Sequence, residues 1–198
     1  MQAFKAALSF FPSKAIDHVI PGAGISGNLF DMSTREDGLQ DEPSKPDHRC
    51  IDISLTGTLY SVRLAAFYMG SRTSIDSTTS RTRSIVLVDS VAGYGAIPGA
   101  VDYTASKFGV RGLFKSMIDE FSALGIRLNM IAPGYIRTPL TANIADKLEA
   151  AGVKFATIET AVEAVKVLTC GSETNGKSDF LLPCRRTDST YFQGDPFV

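Results

Sequence analysis

The chain falls into blocks of apolar residues set apart by polar, glycine-rich stretches, and the period within each block predicts an element. From Met1 to Phe11 the apolar residues Phe4, Ala7, Leu8 and Phe11 recur at helical spacing, so the chain opens inside or just before a helix. "DHVIPGAGISG" then runs from apolar residues into glycines, the pattern of a parallel strand that ends over a site. From Ser26 to Arg49 the residues are polar, with Gly, Pro and the acidic Glu36, Asp37, Asp41 and Glu42, which predicts a long solvated loop. "CIDISLTGTLYSVRLAAFYMG" places Ile51, Leu55, Leu59, Val62, Ala65, Ala66 and Met69 along one long amphipathic helix ending at Gly70.

The second half repeats the alternation. "SRTSIDSTTSRTRS" reads as an exposed linker. "SIVLVDS" has no polar interruption before Asp89, so it is expected to be a strand covered on both faces. A helix from about Val101 to Leu124, the strand "IRLNMIAPG", a shorter helix before Gly152, another helix around Thr160 to Thr169 and a last strand "FLLP" follow. Strands alternating with helices predict an α/β fold with a parallel sheet.

Composition narrows the function. A length of 198 residues fits one domain over residues 1–198 with a substantial core. A formal net charge of -1 argues against a nucleic-acid partner. Cys50, Cys170 and Cys184 form no C-x-x-C pair and read as reduced thiols, which places the chain in the cytoplasm. No apolar run reaches the roughly 20 residues that cross a bilayer, so no membrane partner is expected. His18 and His48 have no ligand-spaced partners, so no metal site is expected.

The chemistry concentrates in "GAVDYTASKFGV". Tyr103 and Lys107 lie four apart on a predicted helix, hence on one face. An ammonium beside a phenol favours the phenolate, so Lys107 is expected to lower the Tyr103 pKa and make it a proton donor and acceptor. Tyr and Lys meet at this spacing by chance in many helices, so the surroundings decide. Ser90 stands 13 residues before Tyr103, at the C-terminal end of the apolar strand, where open α/β sheets place their ligands. Pro133, Gly134 and Thr138 fall in a loop at the same sheet edge. Asp89 is a carboxylate at the end of a buried strand, either a turn cap or an extra acid or base.

In "DSVAGYGAIPGAVDYTASKFGVRGL" and "IRLNMIAPGYIRTPL" the sequence resembles the short-chain dehydrogenases/reductases, in particular fungal members similar to 15-hydroxyprostaglandin dehydrogenase. The resemblance runs from about Phe4 to the C-terminus. It implies a Rossmann-like doubly wound parallel sheet, truncated to the last four strands with their flanking helices. It also implies an NAD- or NADP-dependent oxidoreductase acting on a small-molecule alcohol or carbonyl of a secondary-metabolite pathway. By position, Ser90 would orient the substrate oxygen, Tyr103 would exchange the proton, and Lys107 would support it and hold the nicotinamide ribose. Gly134 and Thr138 would complete the cofactor contacts.

Three departures stand against that pattern. The family's first strand, glycine-rich turn and helix, within roughly 60 residues of two strand-helix units, are expected to be missing before Met1. Its Asn-Asn-Ala-Gly segment is "PGAG", with Pro21 and Gly22 in place of two amides. Ser54 stands where the family usually carries an asparagine that holds a relay water. Gly22 and Gly24 do not complete a dinucleotide fingerprint. Two other functions follow from the same residues: cofactor-free isomerisation, dehydration or cyclisation, or a non-catalytic remnant. The resemblance also implies a homo-oligomer through the two long helices, and a strand near Val19 left at the sheet edge.

Overall fold

The computed structural model describes residues 1–10, 12–27, 45–70, 82–171 and 174–181. The core of the expected loop between Ser26 and Arg49, most of the Ser/Thr/Arg linker, the end of "FLLP" and Cys184 lie outside these residues.

Along the chain come α1 (Gln2–Phe10), β1 (His18–Val19), α2 (Arg49–Ile51), a π-helical segment (Asp52–Thr56), α3 (Gly57–Gly70), β2 (Arg83–Val88) and a 3-10 turn (Val91–Gly93). Then follow α4 (Val101–Ala123), β3 (Ile126–Pro133), α5 (Ala145–Ala150), α6 (Ile158–Cys170) and β4 (Ser178–Leu181). The four strands form one all-parallel sheet in the order β1-β2-β3-β4, with β1 at an edge.

Alternation within β2 explains how helices come to cover both faces. Ile85 and Leu87 point to one side, where they pack with Leu128 and Met130 of β3 against Val62, Ala65 and Met69 of α3 and Val110 and Phe114 of α4. Val86 and Val88 point to the other, with Ile131 and Leu181, under Ala161, Val165 and Leu168 of α6. This is the Rossmann-like doubly wound arrangement that the uninterrupted run "SIVLVDS" predicts. The central strands end on the same edge, which is where the chemistry collects.

Two elements differ from the sequence expectation for local reasons. The long helix starting near Ile51 is interrupted at Asp52–Thr56 by a widened turn. There the Ser54 Oγ accepts from the Ile25 amide at 3.2 Å and donates to the Ile25 carbonyl at 3.1 Å, while Thr58 Oγ1 donates to the Ser54 carbonyl at 2.8 Å. Hydroxyls bonded to backbone in this way open and bend a helix. Gly109 of α4 lies against the same segment, since a Cβ there would sit 2.7 Å from the Leu55 side chain.

The last strand begins earlier than "FLLP", at Ser178. Side chains dock the preceding turn onto β3: Asn129 Nδ2 donates to the Thr174 carbonyl at 2.8 Å, the Lys177 amide donates to Asn129 Oδ1 at 3.0 Å, and the Leu128 amide donates to Asn175 Oδ1 at 2.9 Å. Arg127 closes the same corner. Its guanidinium donates to the carbonyls of Leu168, Thr169 and Thr174 at 2.8, 2.7 and 3.0 Å and so caps the C-terminal end of α6. Arg127→Ala is expected to lower the unfolding free energy by about 2 kcal/mol in urea titrations, as lost charge-assisted hydrogen bonds do.

Candidate active site

Ser90 lies two residues past β2, in extended geometry before the Val91–Gly93 turn, with its Oγ turned back to accept from the Ala92 amide at 3.2 Å and to donate to the Pro133 carbonyl at 3.4 Å. The hydroxyl is thereby fixed at the C-terminal edge of the sheet. The chain then crosses a turn and enters α4, whose first turn is tied by Thr104 Oγ1 accepting from the Ile97 amide at 3.3 Å. That entry sets Tyr103 and, one turn on, Lys107 facing β2. Lys107 is 5% exposed, and its Nζ donates to the Val88 carbonyl at 2.8 Å.

Ser90, Tyr103, Lys107, Gly134 and Thr138 all line one cleft of about 360 Å³. The structure therefore brings together every candidate residue that the sequence nominates. The remaining wall is largely apolar: Val91, Ile97, Tyr135, Ile136, Leu140 and Ile144 contribute to it. Gly22 and Gly24 border the same space from the segment after β1. Sequence reasoning missed Thr141, whose hydroxyl accepts from the Thr138 amide at 3.1 Å, contacts the Thr138 carbonyl at 3.1 Å and donates to the Ile136 carbonyl at 2.7 Å. A threonine three residues after a candidate ligand residue is the one signal that a loop is being braced there.

One expectation is overturned. Burial pushes the Tyr103 phenol above its ordinary pKa; the Ser90 hydroxyl opposes this, and the Asp89 charge adds to it. The Lys107 ammonium does not offset this rise, because it is turned to the Val88 carbonyl and stands 5.6 Å from the centroid of the Tyr103 ring. Burial also lowers the Lys107 pKa, with Asp89 resisting. In this geometry the Tyr103 phenol stays protonated at neutral pH.

Asp89 is 2% exposed, and neither carboxyl oxygen makes a well-formed hydrogen bond among the described residues. Burial pushes it up to about 7, against the pull of Lys107, the Ser90 amide and Arg111. His18, by contrast, lies at the strand edge, with its Nδ1 2.8 Å from Ser84 Oγ.

A family model described as short chain dehydrogenase matches residues 1–149. The chain belongs to the short-chain dehydrogenase family. It is 34% identical over 194 residues to a 5'-hydroxyaverantin dehydrogenase of Dothistroma septosporum, covering 92% of this chain and 63% of that protein. To a second 5'-hydroxyaverantin dehydrogenase, of Emericella nidulans, it is 33% identical over 190 residues, covering 89% and 62%. The chain thus spans somewhat less than two thirds of the length of these fungal relatives. A gluconate 5-dehydrogenase of Burkholderia cenocepacia, solved in complex with NADP and tartrate, has the same fold at a TM-score of 0.69 and 24% identity, covering 89% of this chain and 68% of that one. Short-chain dehydrogenases are NAD(P)-dependent oxidoreductases of small molecules. No helix among the described residues is long and apolar enough to cross a membrane.

Proposed function

We propose that this chain acts as an NAD(P)-dependent oxidoreductase that interconverts a neutral small-molecule alcohol and its carbonyl in fungal secondary metabolism. The observation that carries the reading is the convergence of Ser90, Tyr103 and Lys107 on one cleft. Ser90 Oγ, held by its backbone bonds, orients the substrate oxygen. Tyr103 Oη gives a proton to a carbonyl oxygen in the reductive direction and takes it back from the alcohol in the oxidative one. Lys107, with one of its three donors on Val88, keeps positive charge beside that exchange.

The cleft fits the nicotinamide end of the cofactor. Tyr103, Lys107 and Thr138 supply hydroxyl and ammonium groups suited to a ribose and a carboxamide, and Gly134 leaves its backbone bare beside them. When bound, the nicotinamide supplies or accepts the hydride. A wall that is largely apolar among the described residues supports an uncharged substrate, as do relatives named for a hydroxylated metabolite. Nicotinamide reduction with NAD or NADP is therefore expected for polycyclic or long-chain secondary alcohols, with kcat/KM at least about tenfold above that for carboxylate-bearing alcohols of similar size, the scale of one unpaired buried charge. Equal turnover of both classes would sink the substrate assignment.

One observation favours a second reading. The raised Tyr103 pKa suits an acid that works without hydride transfer, as in a dehydration or cyclisation. Product formation with no nicotinamide present would select it. The proposal also includes a cytoplasmic homo-oligomer through α3 and α4. Tyr60 and Phe67, seven apart on α3, and Val101 and Phe108, seven apart on α4, leave large apolar side chains exposed along one side of each helix.

A further inference from the structure

We infer that Asp89 is a positioning residue for the proton exchange at Tyr103: its carboxyl balances the Lys107 ammonium and so sets how much positive charge faces the phenol. The inference rests on the proposed pairing of Tyr103 with Lys107 and goes beyond it, since nothing in that scheme requires a carboxylate here.

A carboxyl that is buried with no well-formed hydrogen bond among the described residues is costly, and a serine or alanine at this position would avoid the cost. The surroundings are nevertheless built to keep it. The Val91–Gly93 turn closes directly over the group, and a Cβ on Gly93 would lie 2.4 and 2.7 Å from its two oxygens. Only glycine leaves that room. On the other side, Lys107 reaches past α4 to bond the carbonyl of Val88, the residue that precedes Asp89, so the ammonium is anchored at the peptide from which the carboxyl projects.

The charged and titratable groups around Asp89 come from few elements. From α4 it faces Lys107, Arg111 and Tyr103. Arg111 itself stacks on the Tyr94 ring at 4.2 Å. Cys50 of α2 also acts on Lys107 and Tyr103. From β3 the Ile131 carbonyl accepts the Asp89 amide at 2.8 Å.

The signs then follow. An ionised Asp89 holds Lys107 protonated and opposes a phenolate on Tyr103. A neutral Asp89 leaves the ammonium charge to the phenol. Its titration near neutrality puts this exchange in the working range of the proposed reaction.

The test is NMR titration of the intact chain labelled at Asp Cγ, Lys Cε and Tyr Cζ, with signals assigned through Asp89→Asn, Tyr103→Phe and Lys107→Met. In the wild type the Asp89 signal is expected to titrate at about 7. The Tyr103 and Lys107 signals should each carry an inflection at that same midpoint. In Asp89→Asn the inflection disappears and both groups titrate lower. A wild-type Asp89 midpoint in the ordinary carboxylate range would overturn the inference, and so would Tyr103 and Lys107 signals that ignore it. Because these readouts need no turnover, they stand apart from the oxidoreductase reading: coupling without turnover leaves the inference intact and removes that reading, and turnover without coupling does the reverse.

Discussion

Tyr103→Phe is expected to lower kcat for the alcohol substrate by about 10² to 10⁴, the range over which a positioned acid or base accelerates proton transfer, with KM changed by no more than about threefold. The phenol ring packs without its hydroxyl, so the cleft keeps its shape. What disappears is the only hydroxyl that α4 offers beside Ser90 and Lys107 in the cleft, and with it the proposed proton donor. Circular dichroism should show the fold unchanged. A loss confined to KM would assign Tyr103 to substrate binding alone, and a loss below about tenfold would remove it from the chemistry.

The second large effect concerns stability. Asp89 ionises near 3.8 when unfolded and at about 7 when folded, so the native state binds more protons between those values. For a group with a raised folded pKa, the stability it confers is present below about pH 4 and is lost as pH rises to about 7. The span corresponds to at most about 4 kcal/mol. Asp179 adds to the same slope, since burial pushes it up to about 6 against the pull of Lys177. Asp89→Asn is therefore expected to gain about 2–3 kcal/mol over the wild type at pH 8 and little at pH 4, less than the full span because Lys107 loses its counter-charge. Denaturant unfolding at the two pH values measures it. A variant that is destabilised at pH 8 would mean that the carboxylate, once ionised, supports the fold.

Much of this was legible in the sequence where burial and period act locally. The uninterrupted "SIVLVDS" announces a strand with helices on both faces, and the sheet delivers them, with Val86 and Leu87 on opposite sides. Ser90, Tyr103 and Lys107 were legible because a strand end and a helical spacing of four already fix where such side chains sit. The edge position of the strand at Val19 followed from the family resemblance.

The rest depends on contacts between residues far apart in the chain. The early start of β4 comes from Asn129 and Asn175 bonding across 45 to 48 positions. The widened turn at Ser54 comes from its bonds to Ile25, 29 residues away. The direction of the Lys107 ammonium is the clearest case. Spacing places it one turn from Tyr103, but the choice between the phenol and the Val88 carbonyl is made by the bond at 2.8 Å and by the buried carboxyl of Asp89. No pattern along the chain carries that choice.

The central claim is that the cleft supports transfer of a hydride from a substrate carbon, with Tyr103 handling the proton. Its most direct test uses a secondary alcohol substrate carrying deuterium on the carbinol carbon, incubated with the chain and NADP or NAD, with mass spectrometry of both products. The account predicts a ketone without deuterium and a reduced nicotinamide that carries it, and both signals should be lost in Tyr103→Phe. Product that forms with its deuterium retained, or exchanged into water while the nicotinamide stays oxidised, would contradict it and leave the cleft to proton chemistry alone.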